Sequence, residues 1–295
     1  MPITSSCPRA SSASSCLRGD PFSVSSVPSV GKKHMSPIRL GAVSYLNARP
    51  LVYGLELKSS LFSLRFDVPS KCAALLHEGS IDVGMIPSIE YLRRQGYRIV
   101  PSIAIASNGP VASVALFSRV PLEEVRSVAT DTSSRTSTAL LHILCYEAFG
   151  IDPEFVPMPP DITAMLGRCD AALLIGDPAL FLDDDPGGLR KVDLGERWTA
   201  MTGLPFVWAF WAGRSGVMSA AAIEALVKAR DQGVAASDRI AAEYCGPARL
   251  ELCQSYLRDN IQYTLGEAEQ AGLRSFYALV EKHGLVEGIR APQFY

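Results

Sequence analysis

Two stretches of this chain carry the same pattern, and that repeat limits the fold more than any other feature. VPSKCAALLHEGSIDVGMIPSIEYL begins at Val68, and PPDITAMLGRCDAALLIGDPALFL begins at Pro159. Each reads as a short helix, an aspartate (Asp82 or Asp170), a run of apolar residues, and a turn with proline leading into a second short helix. The apolar run is too continuous for a half-exposed strand and fits one buried on both faces. A second pair brackets the middle of the chain: NGPVASVALFSR (Asn108–Arg119) and LPFVWAFWAGR (Leu204–Arg214), both apolar strands that end in arginine. A supersecondary unit built twice, between two crossing strands, implies two sheets, each with its own core.

The rest of the chain agrees. Ile38–Val43 reads as a strand and Tyr45–Pro50 as a turn at its carboxyl end. LFSLRFDV is a second strand, SKCAALLHEGS a helix capped by Ser70, IDVGMI a third strand, and Ser88 starts the helix SIEYLRRQG. Strands alternating with helices predict an α/β protein with largely parallel pairing. The expected architecture is a two-lobed, type II periplasmic-binding-protein-like fold with a ligand cleft between the lobes. Residues 38–117 and 206–295 are expected to form lobe one, and 118–205 lobe two, with helices over 220–288 packing back on lobe one. Residues 1–37 are rich in serine and lack periodicity, so they read as a disordered extension, with Met35 a plausible true start. That stretch has no continuous apolar core and makes a poor secretory signal.

A net charge of −2 and the absence of a basic stripe argue against nucleic acid as the partner. The apolar runs fall short of the roughly 20 residues a membrane span needs. Seven cysteines with no CxxC pair suggest a reducing compartment, and thus the cytoplasm, with Cys72, Cys145 and Cys169 as small buried hydrophobes. Four scattered histidines offer no metal-ligand spacing. Trp198, Trp208 and Trp211 read as core rather than ligand platforms.

Cleft walls in such folds are built at strand ends and helix starts. Five segments belong there: SYLNARP, IPSIEY, GPVAS, SSRTS and IGDP. They offer hydroxyls, amides and glycines but few titratable groups, and no Ser–His–Asp or Cys–His set. DTSSRTSTALL opens a helix with Ser133, Ser134, Thr136 and Ser137 around Arg135. One N-cap serine would satisfy the helix, so the surplus points to an anionic ligand on Ser134, Thr136 and Ser137. Arg135 meets either a ligand carboxylate or a surface acid. Asp177, beside Gly176, either faces the cleft or caps the next helix. Ser88 is either a ligand contact or an N-cap, and Asn47 either faces the cleft or bonds its own turn. Ser113 lies in an apolar strand, where a hydroxyl needs a partner.

VSYLNARPLVYGL, DVGMIPSIEYL, DTSSRTSTALLHILCYEAFG, DAALLIGDPAL and DLGERWTAMTGLPFVWAFWA together resemble the chorismate dehydratases (MqnA family) of the futalosine route to menaquinone. The likeness is dense over residues 38 to about 214 and loose beyond; the serine-rich start departs from it. It implies a hydro-lyase that removes water from chorismate to give 3-[(1-carboxyvinyl)oxy]benzoate without metal or organic cofactor. It also implies that Asn47 and Ser113 are catalytic and that the Ser134–Ser137 helix start holds a substrate carboxylate. The partner is then the small molecule chorismate, with no nucleic acid or membrane; monomer and homodimer both stay open. Two other readings compete. A non-catalytic solute-binding protein for a small carboxylate would call for an export signal or a lipid-anchoring cysteine. The sister enzyme that cleaves a cyclic futalosine compound would call for a base in the cleft, usually histidine.

Overall fold

The computed structural model describes residues 36–182 and 188–295. The disorder expected of residues 1–37 therefore falls, but for Ser36 and Pro37, outside the described residues, as do Cys7 and Cys16. Among the described residues, eleven strands form two sheets. They are β1 (Ile38–Val43), β2 (Phe62–Asp67), β3 (Val83–Pro87), β4 (Tyr97–Ile99), β5 (Ile105–Ser107), β6 (Val114–Ser118), β7 (Ser127–Asp131), β8 (Glu154–Met158), β9 (Ala171–Ile175), β10 (Arg190–Asp193) and β11 (Phe206–Arg214). The first sheet runs β2-β1-β3-β11-β4, with β5 also on β11; the second runs β10-β6-β9-β7-β8. Pairing is parallel for β1 with β2 and β3 and for β7 with β8 and β9, and antiparallel around β11 and β6. The two repeated units supply β3 to one sheet and β9 to the other, each fully buried.

Around them pack α1 (Pro69–Glu78), α2 (Glu90–Arg93), α3 (Arg135–Leu144), α4 (Ile162–Arg168), α5 (Asp177–Leu180), α6 (Leu194–Thr202), α7 (Ala220–Ala235), α8 (Ser237–Cys245), α9 (Leu250–Ser255) and α10 (Glu267–Lys282). α10 lies against β11, where Phe276, Phe206 and Trp198 pack edge to face. Gly272 permits this, since a Cβ there would meet the Pro205 carbonyl oxygen at 1.9 Å. Among the described residues no helix is long and apolar enough to cross a membrane.

Local expectations fail at four places. The strand expected over Asn108–Arg119 is only Val114–Ser118 and pairs within the second sheet. Pro110 and a left-handed Ala112 (φ 61°) break the chain before it, making residues 108–113 a crossover between sheets. Ser70 does not cap α1: Pro69 opens the helix and Val68 is its N-cap residue. Ser88 caps nothing; α2 starts two residues later, from Ile89, without a side-chain cap. Cys245 and Cys253 are disulfide-bonded, against the expectation of unpaired thiols, whereas Cys72, Cys145 and Cys169 are free and buried as expected.

Candidate functional site

The two sheets meet at a small cavity of about 50 Å³, walled from both sides by Tyr45, Asn47, Pro87, Ser113, Ser134, Ser137, Gly176 and Trp208, among others. Ligand clefts are usually several hundred Å³, so this is a closed form. Among the described residues, no carboxylate, histidine, lysine or arginine lines it. Of the predicted residues, the structure brings Asn47, Ser113, Ser134, Ser137 and Gly176 into this wall and leaves Ser88, Arg135, Thr136 and Asp177 out of it. Trp198 and Trp211 are core, but Trp208 is both core and cleft wall, its indole N–H donating to Ser107 Oγ at 3.1 Å.

At the start of α3 the hydroxyls divide their work. Ser134 is the N-cap, its Oγ accepting from Ser137 N–H at 3.3 Å and lying 3.0 Å from Ser137 Oγ. Thr136 Oγ1 accepts from Ile89 N–H at 3.2 Å and lies 3.4 Å from Ser88 Oγ. The surplus hydroxyl thus ties α3 to the first sheet's side. Arg135 settles on an acid, Glu90, at 3.0 Å. That acid is not on the surface: Glu90 is completely buried and also meets His77 at 3.0 Å and Arg93 at 3.3 Å. Burial pushes the Glu90 carboxyl up, but His77, Arg135 and Arg93 together hold it below the usual range.

Asp177 likewise works across the cleft. It does not cap its own helix; its Oδ1 accepts the Leu46 N–H at 3.0 Å. That amide is among the first, unpaired donors of the short 3₁₀ helix Leu46–Val52, which carries Asn47. Oδ2 accepts from the Tyr244 hydroxyl at 2.5 Å. Burial pushes the Asp177 carboxyl above its ordinary value, and the Tyr244 phenol is pushed up to about 12 by burial and by Asp177. Gly176 sits at φ 65°, ψ −145°, a region closed to other residues, and a Cβ there would lie 2.5 Å from the Tyr45 ring.

Several residues of the site escaped sequence reasoning. Asp131 holds the turn before α3 by accepting from the Ser133 N–H (2.8 Å), the Ser133 hydroxyl (2.6 Å) and the Ile175 N–H (3.3 Å). Asp193 caps α6 and at the same time accepts from the Val111 and Ala112 N–H groups, fixing the crossover that presents Ser113. Tyr256, from the C-terminal region, donates to Ser113 Oγ at 2.7 Å. DTSS and DLGERW each display an aspartate at a helix start, a signal available for the first two; nothing local marks Tyr256. Asn47 Oδ1 is buried and has no hydrogen-bond partner among the described residues. Buried amide oxygens are rarely left so, and Asn47 is one of the residues that line the cleft.

A family model described as menaquinone biosynthesis matches residues 38–282. A chorismate dehydratase of Thermus thermophilus is 34% identical over 281 residues, covering 88% of this chain and 99% of that one. Among solved structures, a protein of Archaeoglobus fulgidus superposes with a TM-score of 0.70 at 20% identity, covering 86% of this chain and 100% of that chain. The periplasmic aliphatic sulphonate binding protein of Escherichia coli superposes at 0.63 with 18% identity, covering 86% and 94%. These two likenesses show the fold, that of the periplasmic binding proteins.

Proposed function

Because the chain belongs to the menaquinone-biosynthesis family, we propose that it is a chorismate dehydratase, a cytoplasmic hydro-lyase yielding 3-[(1-carboxyvinyl)oxy]benzoate as the first step of the futalosine route. The observation that carries the reading is that Asn47, whose side-chain oxygen is buried without a partner among the described residues, lines the same small cavity as Ser113. In the proposed step the C–H bond of the ring carbon bearing the ether oxygen breaks, and its electron pair becomes a ring double bond. The C–O bond of the adjacent carbinol breaks, its electrons leaving with the oxygen. The ring becomes aromatic, so the step needs orientation and stabilisation of the departing hydroxide more than a strong base. Asn47 Oδ1 accepts from the substrate hydroxyl, and Ser113 donates to the same oxygen as it leaves. The proton goes to the substrate's own enolpyruvyl carboxylate. Ser134 and Ser137 at the start of α3, with its partial positive charge, hold a carboxylate. No electron is transferred, and the reading calls for no cofactor. Substrate enters by separation of the two sheets, and closure excludes water.

The test is to incubate the purified protein with chorismate, without added metal or cofactor, and follow products by chromatography and mass. A product lighter by one water with an aromatic spectrum is expected. Chorismate recovered intact alongside a raised melting temperature would instead favour the solute-binding role that other proteins of this fold perform. Asn47→Ala should lower turnover far more than it weakens binding; unchanged turnover would remove Asn47 from the mechanism.

A further inference from the structure

We propose that Tyr256 is a positioning residue that makes Ser113 a hydrogen-bond donor into the cleft; this rests on the dehydration proposed above. A serine hydroxyl can donate or accept, and its rotor is free unless a neighbour fixes it. Tyr256 is 2% exposed and its hydroxyl lies 2.7 Å from Ser113 Oγ. A phenol is much more acidic than an aliphatic alcohol, so in this pair the tyrosine donates and the serine accepts. With a lone pair so engaged, the Ser113 hydrogen has the cleft as its outlet, where the leaving oxygen needs a donor.

The surrounding chain is built to hold that phenol in place. Tyr256 opens a π-helical turn, Tyr256–Asn260, that extends α9; such widened turns recur at functional sites. At its far end Asn260 Nδ2 donates to the Pro110 carbonyl at 2.9 Å, so the same turn also grips the crossover that presents Ser113. The Cys245–Cys253 disulfide ties α8, whose Tyr244 grips Asp177, to α9, which leads into Tyr256.

Steady-state kinetics on chorismate with Tyr256→Phe, Ser113→Ala and the double variant test the assignment. Tyr256→Phe should lower kcat about tenfold, the worth of one well-placed hydrogen bond, with KM within about twofold. The double variant should be no slower than Ser113→Ala, because the tyrosine acts only through that serine. Tyr263→Phe removes the hydroxyl of a neighbouring buried tyrosine that has no partner among the described residues, and should leave kcat unchanged. Normal kcat in Tyr256→Phe, or a loss that adds to that of Ser113→Ala, overturns the inference while an impaired Ser113→Ala keeps the dehydratase reading standing. A wild-type protein that leaves chorismate intact overturns both. Should Tyr256→Phe fail to fold, NMR of protein with ζ-carbon-labelled tyrosine decides. The Tyr256 hydroxyl proton should exchange slowly in the wild type and faster in Ser113→Ala; equal exchange overturns the inference.

Discussion

Glu90→Gln tests whether the contact between α2 and α3 holds the two sides of the cleft together. The carboxylate is fully buried and faces Arg135 and His77 at 3.0 Å each; Arg93 lies 3.3 Å from Oε1 without hydrogen-bond alignment. Stripping one partner from a fully buried ion pair costs about 3–5 kcal/mol. Here Arg93 and Arg135 are 44% and 43% exposed, so water screens each pair and each counts for about 1 kcal/mol. Glutamine also removes the cost of burying the charge. The expected loss is about 2 kcal/mol, or a fall in melting temperature of roughly 4–8 °C for a domain of this size. The pH dependence follows from the lowered carboxyl pKa. The unfolded chain takes up a proton near the ordinary value of about 4.3, before the native state does. The contribution is therefore present above that pH and lost as pH falls through the lower native value. Thermal melts of both proteins should differ at pH 7 and converge toward pH 3. In kinetics, KM should rise more than kcat falls, because Arg135 begins the helix whose start lines the cleft. Equal melting temperatures at pH 7, or a gap that persists unchanged at pH 3, would refute the reasoning.

Gly176→Ala forces a Cβ against the Tyr45 ring at a positive φ and should cost about 2–4 kcal/mol, together with most of the turnover; melting and chorismate kinetics check it. Asp177 has its carboxyl raised by burial, so its contribution is complete below the ordinary value of about 3.9 and declines as pH rises through the native one. In melts from pH 4 to 8, the difference between Asp177→Asn and its parent should therefore move in the variant's favour as pH rises. Reducing the disulfide across its separation of 8 residues should lower stability by about 2–3 kcal/mol, read as the drop in melting temperature with dithiothreitol, and absent in a Cys245→Ala/Cys253→Ala double variant.

What could be read from the sequence was what neighbouring residues decide. The apolar run of β11 and the repeated units behind β3 and β9 announce buried strands by composition alone, and the hydroxyl-rich start of α3 announces a cap. Boundaries that depend on one residue's dihedrals were harder. Ser70 looks like a cap, yet the fixed φ of Pro69 suits the first helical position and moves the cap to Val68. Ala112 has no local reason to be left-handed; Asp193, which holds the Val111 and Ala112 amides, lies 81 residues further on. The same limit hides Tyr256, 143 residues from the serine it touches. Arg135 needed a partner, but only the packing of α2 reveals Glu90 as that partner.

The closed cavity is held by the protein's own contacts. Ser70 N–H reaches the Ser133 carbonyl at 3.0 Å, Leu46 N–H reaches Asp177, Ile89 N–H reaches Thr136, and Arg135 reaches Glu90, each bond joining the two sides. A ligand favours closure only by its differential affinity for the closed form. Here those bonds need no ligand, and the charged groups that make them, Arg135, Glu90 and Asp177, are already engaged and are not part of the cavity wall. That leaves a cavity lined by an amide, hydroxyls and apolar rings. In a purely binding protein of this fold, charge in the cleft would serve affinity directly. In the proposed step, satisfied latches behind a nearly neutral wall leave Asn47 Oδ1 to orient the substrate hydroxyl and the Ser113 hydroxyl to donate to the oxygen as it leaves. Interactions made as the leaving oxygen gains charge lower the barrier, whereas those made equally to the bound ground state do not. The division between latch residues and cleft residues therefore suits a catalyst better than a carrier.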